Sequence, residues 1–151
     1  MSTIESLLNE KRTLCHAVCN SKKRSLEMLA DLISASTENI EAETLFEQLI
    51  AREKLGSTGI GAGIAIPHCR YKGLELTTGA LVTLENPIDF DSVDGKPVDV
   101  IFAMLVPEDS HTEHLQTLAK LAEFLQQQSF VDKLRGAKTQ DELYRLAVQI
   151  G

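Results

Sequence analysis

Apolar residues recur along this chain with two different periods, and the switches between them mark out the elements. Ile4 to Leu8 has short helical spacing, and Thr13 to Val18 mixes β-branched and apolar residues, which predicts a first strand. Ser21 then caps a helix to about Ser34, in which Leu26, Leu29, Ala30 and Ile33 fall on one face. A polar connection from Thr37 to Ile40 leads to a second helix, about Ala42 to Leu55, with Leu45, Phe46, Leu49 and Ile50 inward. Gly56 suits the position just past its end. Ile64-Ala65-Ile66 reads as a short buried strand that Pro67 ends, and Tyr71 to Leu76 reads as a loop. Thr78 to Glu85 carries Ala80, Leu81, Val82 and Leu84 as a mostly buried strand, broken by Asn86-Pro87. Ile88 and Phe90 alternate with Asp89 and Asp91, the pattern of a partly exposed edge, and Asp94-Gly95 marks a hairpin-type turn.

Val98 to Val106 is apolar throughout except at Asp99, which predicts a central strand covered on both faces and stopped by Pro107. Ser110-His111-Thr112-Glu113 matches a capping box and opens a helix to about Gln127, with Leu115, Leu118, Ala122 and Leu125 as its apolar stripe. A short helix from Ser129 to Arg135 closes at Gly136. Thr139-Gln140-Asp141-Glu142 is a second capping box, before a last helix carrying Leu143, Leu146, Ala147 and Ile150. Strands mixed with helices, and helices at both ends, predict an α/β fold with one mixed β-sheet flanked on both faces by helices. No repeat or linker interrupts residues 1–151, so one domain is expected. Sites in such folds lie beyond strand C-terminal ends, near helix N-termini.

Composition narrows the partners. The net charge of −7 disfavours duplex nucleic acid and favours a protein partner with a basic patch. No apolar run approaches the roughly 20 residues of a membrane span, and Met1-Ser2-Thr3-Ile4-Glu5 lacks signal-peptide character. The three cysteines are odd in number, which suggests reduced thiols and a cytoplasmic setting. Cys15-His16-x-x-Cys19 invites a zinc reading, but the spacing is not that of a standard knuckle and small buried strand cysteines explain it better.

Candidate chemistry gathers between Arg52 and Arg70. Four of the nine glycines lie there, at 56, 59, 61 and 63, and a glycine-rich loop can turn its N–H groups inward to hold an anion. The run is not a Walker loop, because no Gly-Lys-Ser/Thr follows. Nor is it a dinucleotide fingerprint, because a strand follows where a helix should open. His68 sits just past Pro67 and is followed by Arg70. Arg52, in the last turn of its helix, is by itself a favourable cation at a helix C-terminus. Of the other histidines, His16 reads as structural in a strand and His111 as exposed. His114, one side-chain row from Leu118 and Leu121, reads as half-buried and bonded to a carbonyl or water.

Residues 52–68, R-E-K-L-G-S-T-G-I-G-A-G-I-A-I-P-H, resemble the active-site signature of enzyme IIA of the bacterial phosphotransferase system, in its fructose/mannitol/nitrogen family and most of all its nitrogen branch. The resemblance runs from about Ile4 to Gln149. It departs at Ala62, where a polar residue such as Asn is common, and at Cys69, where Gly is common. It implies a mannitol-type enzyme IIA fold and a phosphotransferase component with His68 as its phosphohistidine. Glu113-His114-Leu115 matches the region of the family's second active-site histidine, so His114 and Arg52 would stabilise the moving phosphoryl group, with Ser57, Thr58 and Gly59 helping to bind it. A neutral imidazole with a pKa of about 6.5 suits that task near pH 7. The donor implied is a small phosphohistidine carrier protein, and the targets are regulatory proteins such as potassium-transport regulators. No metal or cofactor is implied. The alternative within the family is a sugar-specific fructose or mannitol IIA that hands phosphate to a IIB domain. Two rivals come from other classes: a binding module of this fold without transfer, and a zinc hydrolase using His68, Cys69, His111 and His114.

Overall fold

The computed structural model describes residues 3–109 and 112–150, with the side chains of residues 3, 112–114 and 150 outside that description. The elements in chain order are α1 (Thr3–Leu7), a 3-10 turn (Glu10–Arg12), β1 (Thr13–Ala17), α2 (Lys22–Ser36), α3 (Ala42–Lys54), β2 (Gly59–Gly61) and β3 (Ile64–Ala65). There follow β4 (His68–Tyr71), β5 (Thr78–Ile88), β6 (Val98–Pro107), α4 (Thr112–Leu125), α5 (Gln128–Gly136) and α6 (Gln140–Ile150). Among the described residues the strands form one six-stranded mixed sheet ordered β1-β5-β6-β3-β2, with β4 also on β6.

β6 is the central strand its composition predicts. From Val100 to Val106 its side chains alternate between two apolar layers. Val100, Phe102, Met104 and Val106 meet the residues of α1, α4, α5 and α6. Ile101, Ala103 and Leu105 meet those of α2 and α3. Helices therefore cover both faces, as the sequence predicts.

Local signals place the helices well. Ser21 Oγ accepts from Arg24 N at 3.1 Å, and Thr139 Oγ1 accepts from Glu142 N at 3.1 Å, so both residues cap as expected. The capping box at Ser110 and His111 lies outside the described residues.

Two stretches differ from expectation. β5 runs through Asn86-Pro87 to Ile88, absorbing the proline in a register shift between Thr83 and Ile88. Residues 68–70, for which no element is expected, and Tyr71, expected to open a loop, are also a strand. It is β4, which pairs parallel with β6 from His68↔Met104 to Tyr71↔Pro107. β3 and β4 thus lie end to end along one edge of β6. Pro67 interrupts them because it offers β6 a carbonyl, which accepts from Met104 N at 2.9 Å, but no N–H.

Candidate functional site

His68 opens β4, an edge strand, and its register fixes which way it faces. Neighbours in a parallel pair share a sheet face, so His68 lies on the side of Met104, the layer covered by α4. Cys69, beside Leu105, packs into the opposite layer against the residues of α2 and α3. The His68 ring is half-buried, and its Nδ1 lies 2.8 Å from the carbonyl oxygen of Ile66. A carbonyl only accepts, so that contact places the proton on Nδ1 and leaves the lone pair of a neutral ring on Nε2.

Arg52 approaches from the last turn of α3, around the open edge of the sheet. Its Nη1 donates to Gly56 O at 2.8 Å. Arg52 and His68 line one cleft of about 450 Å³ with Gln48, Ala51, Leu55, Cys69, Arg70 and Val106. Gln48 lies one helical turn before Arg52 and so on the same face of α3, and its Oε1 is buried without a hydrogen-bond partner among the described residues. Arg70 follows His68 on the same strand face, and its Nη1 donates to Glu108 O at 2.9 Å. Sequence reasoning passed over Gln48, although its i, i+4 spacing to Arg52 was visible. It noted Arg70 only as a neighbour. Burial pushes the Cys69 thiol up to about 12, so this cysteine holds its proton at neutral pH.

The glycine-rich run is built differently from an anion cradle. Gly59↔Ala65 and Gly61↔Ile64 pair β2 with β3 as a hairpin, and Gly61, Ala62 and Gly63 form its tip with φ of 100°, 56° and 83°. Three of the amides expected to face a ligand are turned onto the protein itself. Thr58 N donates to Glu53 Oε2 at 3.2 Å, Gly59 N to Ser57 Oγ at 3.0 Å, and Ala62 N to Asp94 Oδ2 at 2.9 Å. That last bond, with one from Lys96 N, holds the Asp94 carboxyl below its usual range. The tip is tied further by Arg135, whose Nη2 donates to Ala62 O at 2.9 Å and whose Nε meets the Asp99 carboxylate at 3.0 Å. β3 pairs at Val100 while His68 pairs at Met104, four residues or roughly 13 Å further along β6. The tip is therefore remote from the imidazole.

Ser57, Thr58 and Gly59 do not line the cleft. Ser57 Oγ donates to Phe90 O at 2.7 Å. Thr58 is 4% exposed, and its Oγ1 donates to Glu53 Oε1. Donors of all three residues are thus engaged within the fold. Both Thr58 donors go to a buried carboxylate, Glu53, which the sequence did not single out. His114 lies in the first turn of α4, but its side chain is outside the described residues, and His111 is outside them altogether.

His16 is in β1, as predicted, but exposed at a bulge with φ of 50°, and its Nε2 lies 3.2 Å from Arg135 O. Cys15 Sγ donates to Ala137 O at 3.1 Å and Cys19 Sγ to Ser21 O at 3.3 Å. Among the described residues no group of three or more His, Cys, Asp or Glu converges as metal ligands would, and no helix is long and apolar enough to cross a membrane.

Residues 6–149 match the family model described as "Phosphoenolpyruvate-dependent sugar phosphotransferase system, EIIA 2". The chain is 45% identical over 150 residues to a nitrogen regulatory protein of Pseudomonas aeruginosa, covering 99% of this chain and 97% of the relative. It is similar to the crystal structure of nitrogen regulatory protein IIA-Ntr from Neisseria meningitidis. That likeness has a TM-score of 0.86 at 39% identity, over 95% of this chain and 97% of the other. IIA mannitol from Escherichia coli shares the fold, with a TM-score of 0.74 at 17% identity over 93% and 98% of the two chains.

Proposed function

The chain belongs to the EIIA 2 family of the phosphoenolpyruvate-dependent sugar phosphotransferase system and is most like its nitrogen regulatory members, and from that premise we propose that it takes a phosphoryl group onto Nε2 of His68. The donor is a small phosphohistidine carrier protein meeting it in the cytoplasm. The output is regulatory, read by target proteins such as regulators of potassium transport.

One observation carries the reading: His68 is held through Nδ1 by Ile66 O, at 2.8 Å, in a cleft it shares with Arg52. Transfer between two imidazoles needs no net proton. The Nε2 lone pair of His68 forms the new bond to phosphorus while the donor's N–P bond breaks, and that electron pair returns to the donor ring. The proton stays on Nδ1 throughout, donated to the Ile66 carbonyl oxygen, which stabilises positive charge as it develops on the ring. Such a reaction depends mainly on positioning and on matching the charge of the equatorial oxygens. Arg52 supplies guanidinium donors beyond the one given to Gly56 O. His114, on the first turn of the helix over the same sheet face, is the proposed second donor.

Incubation with phosphorylated carrier, read by intact mass and phosphorus NMR, tests this. One phosphoryl group is expected, bonded at Nε2, with none on His68→Ala. Uptake by His68→Ala, or phosphate on Nδ1, would refute the proposal. Binding to a target that is unchanged by phosphorylation, together with rapid onward transfer to a IIB domain, would replace the regulatory output with a sugar-uptake one.

A further inference from the structure

Glu53 is a carboxylate with a side chain only 5% exposed, and nothing in the proposed chemistry uses it. Burial of an ion is costly unless every lone pair is met. Here three groups meet it. Lys22 Nζ lies 2.8 Å from Oε2, Thr58 N donates to Oε2 at 3.2 Å, and Thr58 Oγ1 donates to Oε1. Lys22 is anchored in turn by Asp91, at 3.5 Å, and by the Phe90 ring, 4.9 Å from its ammonium. The cluster joins the first residue of α2, the last turn of α3 and the turn that follows α3.

That turn contains Gly56, whose carbonyl oxygen accepts from Arg52 Nη1 at 2.8 Å. Arg52 and Glu53 are consecutive on α3, so one side chain points to the cleft and the next into the protein. The turn between Lys54 and Thr58 is pinned at one end by the helix and at the other by the two Thr58 bonds. A route of contacts therefore runs from Lys22 to Glu53, to Thr58, back through the turn to Gly56 O, and out to the guanidinium.

We propose that Glu53, Thr58 and Lys22 are positioning residues that act on phosphoryl transfer through Arg52. The inference rests on the proposed role of His68 and Arg52 and adds to it the means by which the guanidinium is held. A long arginine on an exposed helix end loses rotamer freedom when it is ordered, and a fixed carbonyl acceptor meets that cost before the phosphoryl group arrives. Thr58, which the family resemblance implies as a phosphoryl-binding residue, would on this inference act one layer further in.

The test is a set of single-turnover transfers from phosphorylated carrier to the full-length protein. Thr58→Val keeps the side chain's shape and removes the hydroxyl, while Thr58→Ser keeps the hydroxyl and removes the methyl. Thr58→Val is expected to slow transfer about tenfold at saturating carrier, with Thr58→Ser within about twofold of wild type. In an Arg52→Ala background Thr58→Val should change the rate by less than about twofold, because the group it positions is gone. Lys22→Met, at a side chain 20% exposed, gives a second route should Thr58→Val fail to fold, with a smaller loss in the same direction.

Unchanged rates in both Thr58→Val and Lys22→Met would overturn the inference. So would equal losses in the Val and Ser variants, which would mean packing, or full additivity with Arg52→Ala. Failure of the underlying reading looks different, since wild type would then take no phosphoryl group or His68→Ala would still take one.

Discussion

Gly59 separates two accounts of the glycine-rich run. If the residue is small so that a phosphoryl group can approach, adding a methyl should leave stability alone and slow transfer. The structure gives another reason for the glycine. A Cβ built on Gly59 would crowd the Ser92 side chain and stand 3.0 Å from Ser92 Cα, a backbone atom that cannot swing aside. Ser92 Oγ is buried and has no hydrogen-bond partner among the described residues, so no bond holds it in the way, but rotating it does not relieve the contact with Cα. Gly59 is itself pinned by its N–H to Ser57 Oγ at 3.0 Å and by its pairing with Ala65. Overpacking at so tight a place costs about 1–3 kcal/mol. With about 2 kcal/mol lost, the thermal midpoint of a domain of this size should fall by roughly 4–8 °C. Urea unfolding followed by circular dichroism measures the loss directly, as a lower midpoint at unchanged slope. Ser92→Gly removes the facing Cβ and Oγ, so the double variant should recover part of the loss, and the two substitutions should couple by roughly 1 kcal/mol in the rescuing sense. If Gly59→Ala is as stable as wild type while transfer collapses, the steric account is wrong and the glycine serves the ligand.

Two more outcomes follow from named contacts. Arg135→Met removes the ties to Asp99 and Ala62 O that hold the β2–β3 tip. With the two side chains 30% and 24% exposed, a loss of about 1–2 kcal/mol is expected, with faster amide exchange across residues 59–65. Unchanged exchange there would show that the hairpin holds itself. Cys69, pushed up to about 12, should resist iodoacetamide at pH 8 in the folded protein and react readily once unfolded. The sign of the linked stability follows from a folded value raised above the ordinary 9.0. The contribution is intact below about pH 9 and falls as pH rises toward 12, with Cys15, also raised by burial, acting in the same direction. Urea midpoints between pH 8 and 11 in wild type and Cys69→Ala test this, and equal slopes would refute it.

The helices and the central strand were legible because each is written in a local code. Leu26, Leu29, Ala30 and Ile33 repeat at helical spacing and are all 1% exposed or less. The run from Val98 to Val106 has too few polar positions for a half-exposed strand, and it is the strand that pairs with β5, β3 and β4. β4 was not legible. His68-Cys69-Arg70-Tyr71 has two polar residues in four and follows a proline, and its place in the sheet comes from a partner thirty-six positions away. Pairing of that kind is a property of the assembled sheet, and local propensity is overridden by it.

The same limit applies to the glycine-rich loop. Glycine density announces unusual backbone angles, and the tip at Gly61, Ala62 and Gly63 has them. It does not announce what the turned amides will meet. Three of them meet Glu53, Ser57 and Asp94; the first two are close in sequence, but Asp94 arrives from a loop thirty-two residues on and could not be inferred from spacing. A site assembled from such amides would have to break the hairpin's own bonds to bind an anion, exchanging one set of hydrogen bonds for another with little net gain. A site assembled at the sheet edge has no such debt. There the imidazole is fixed by a carbonyl two residues before it, and the guanidinium by one four residues after it. Both orienting bonds are local in sequence, and both side chains line the cleft. On the function proposed above, the edge of β4 and the end of α3 would receive phosphorus, and the glycines would serve by shaping the hairpin.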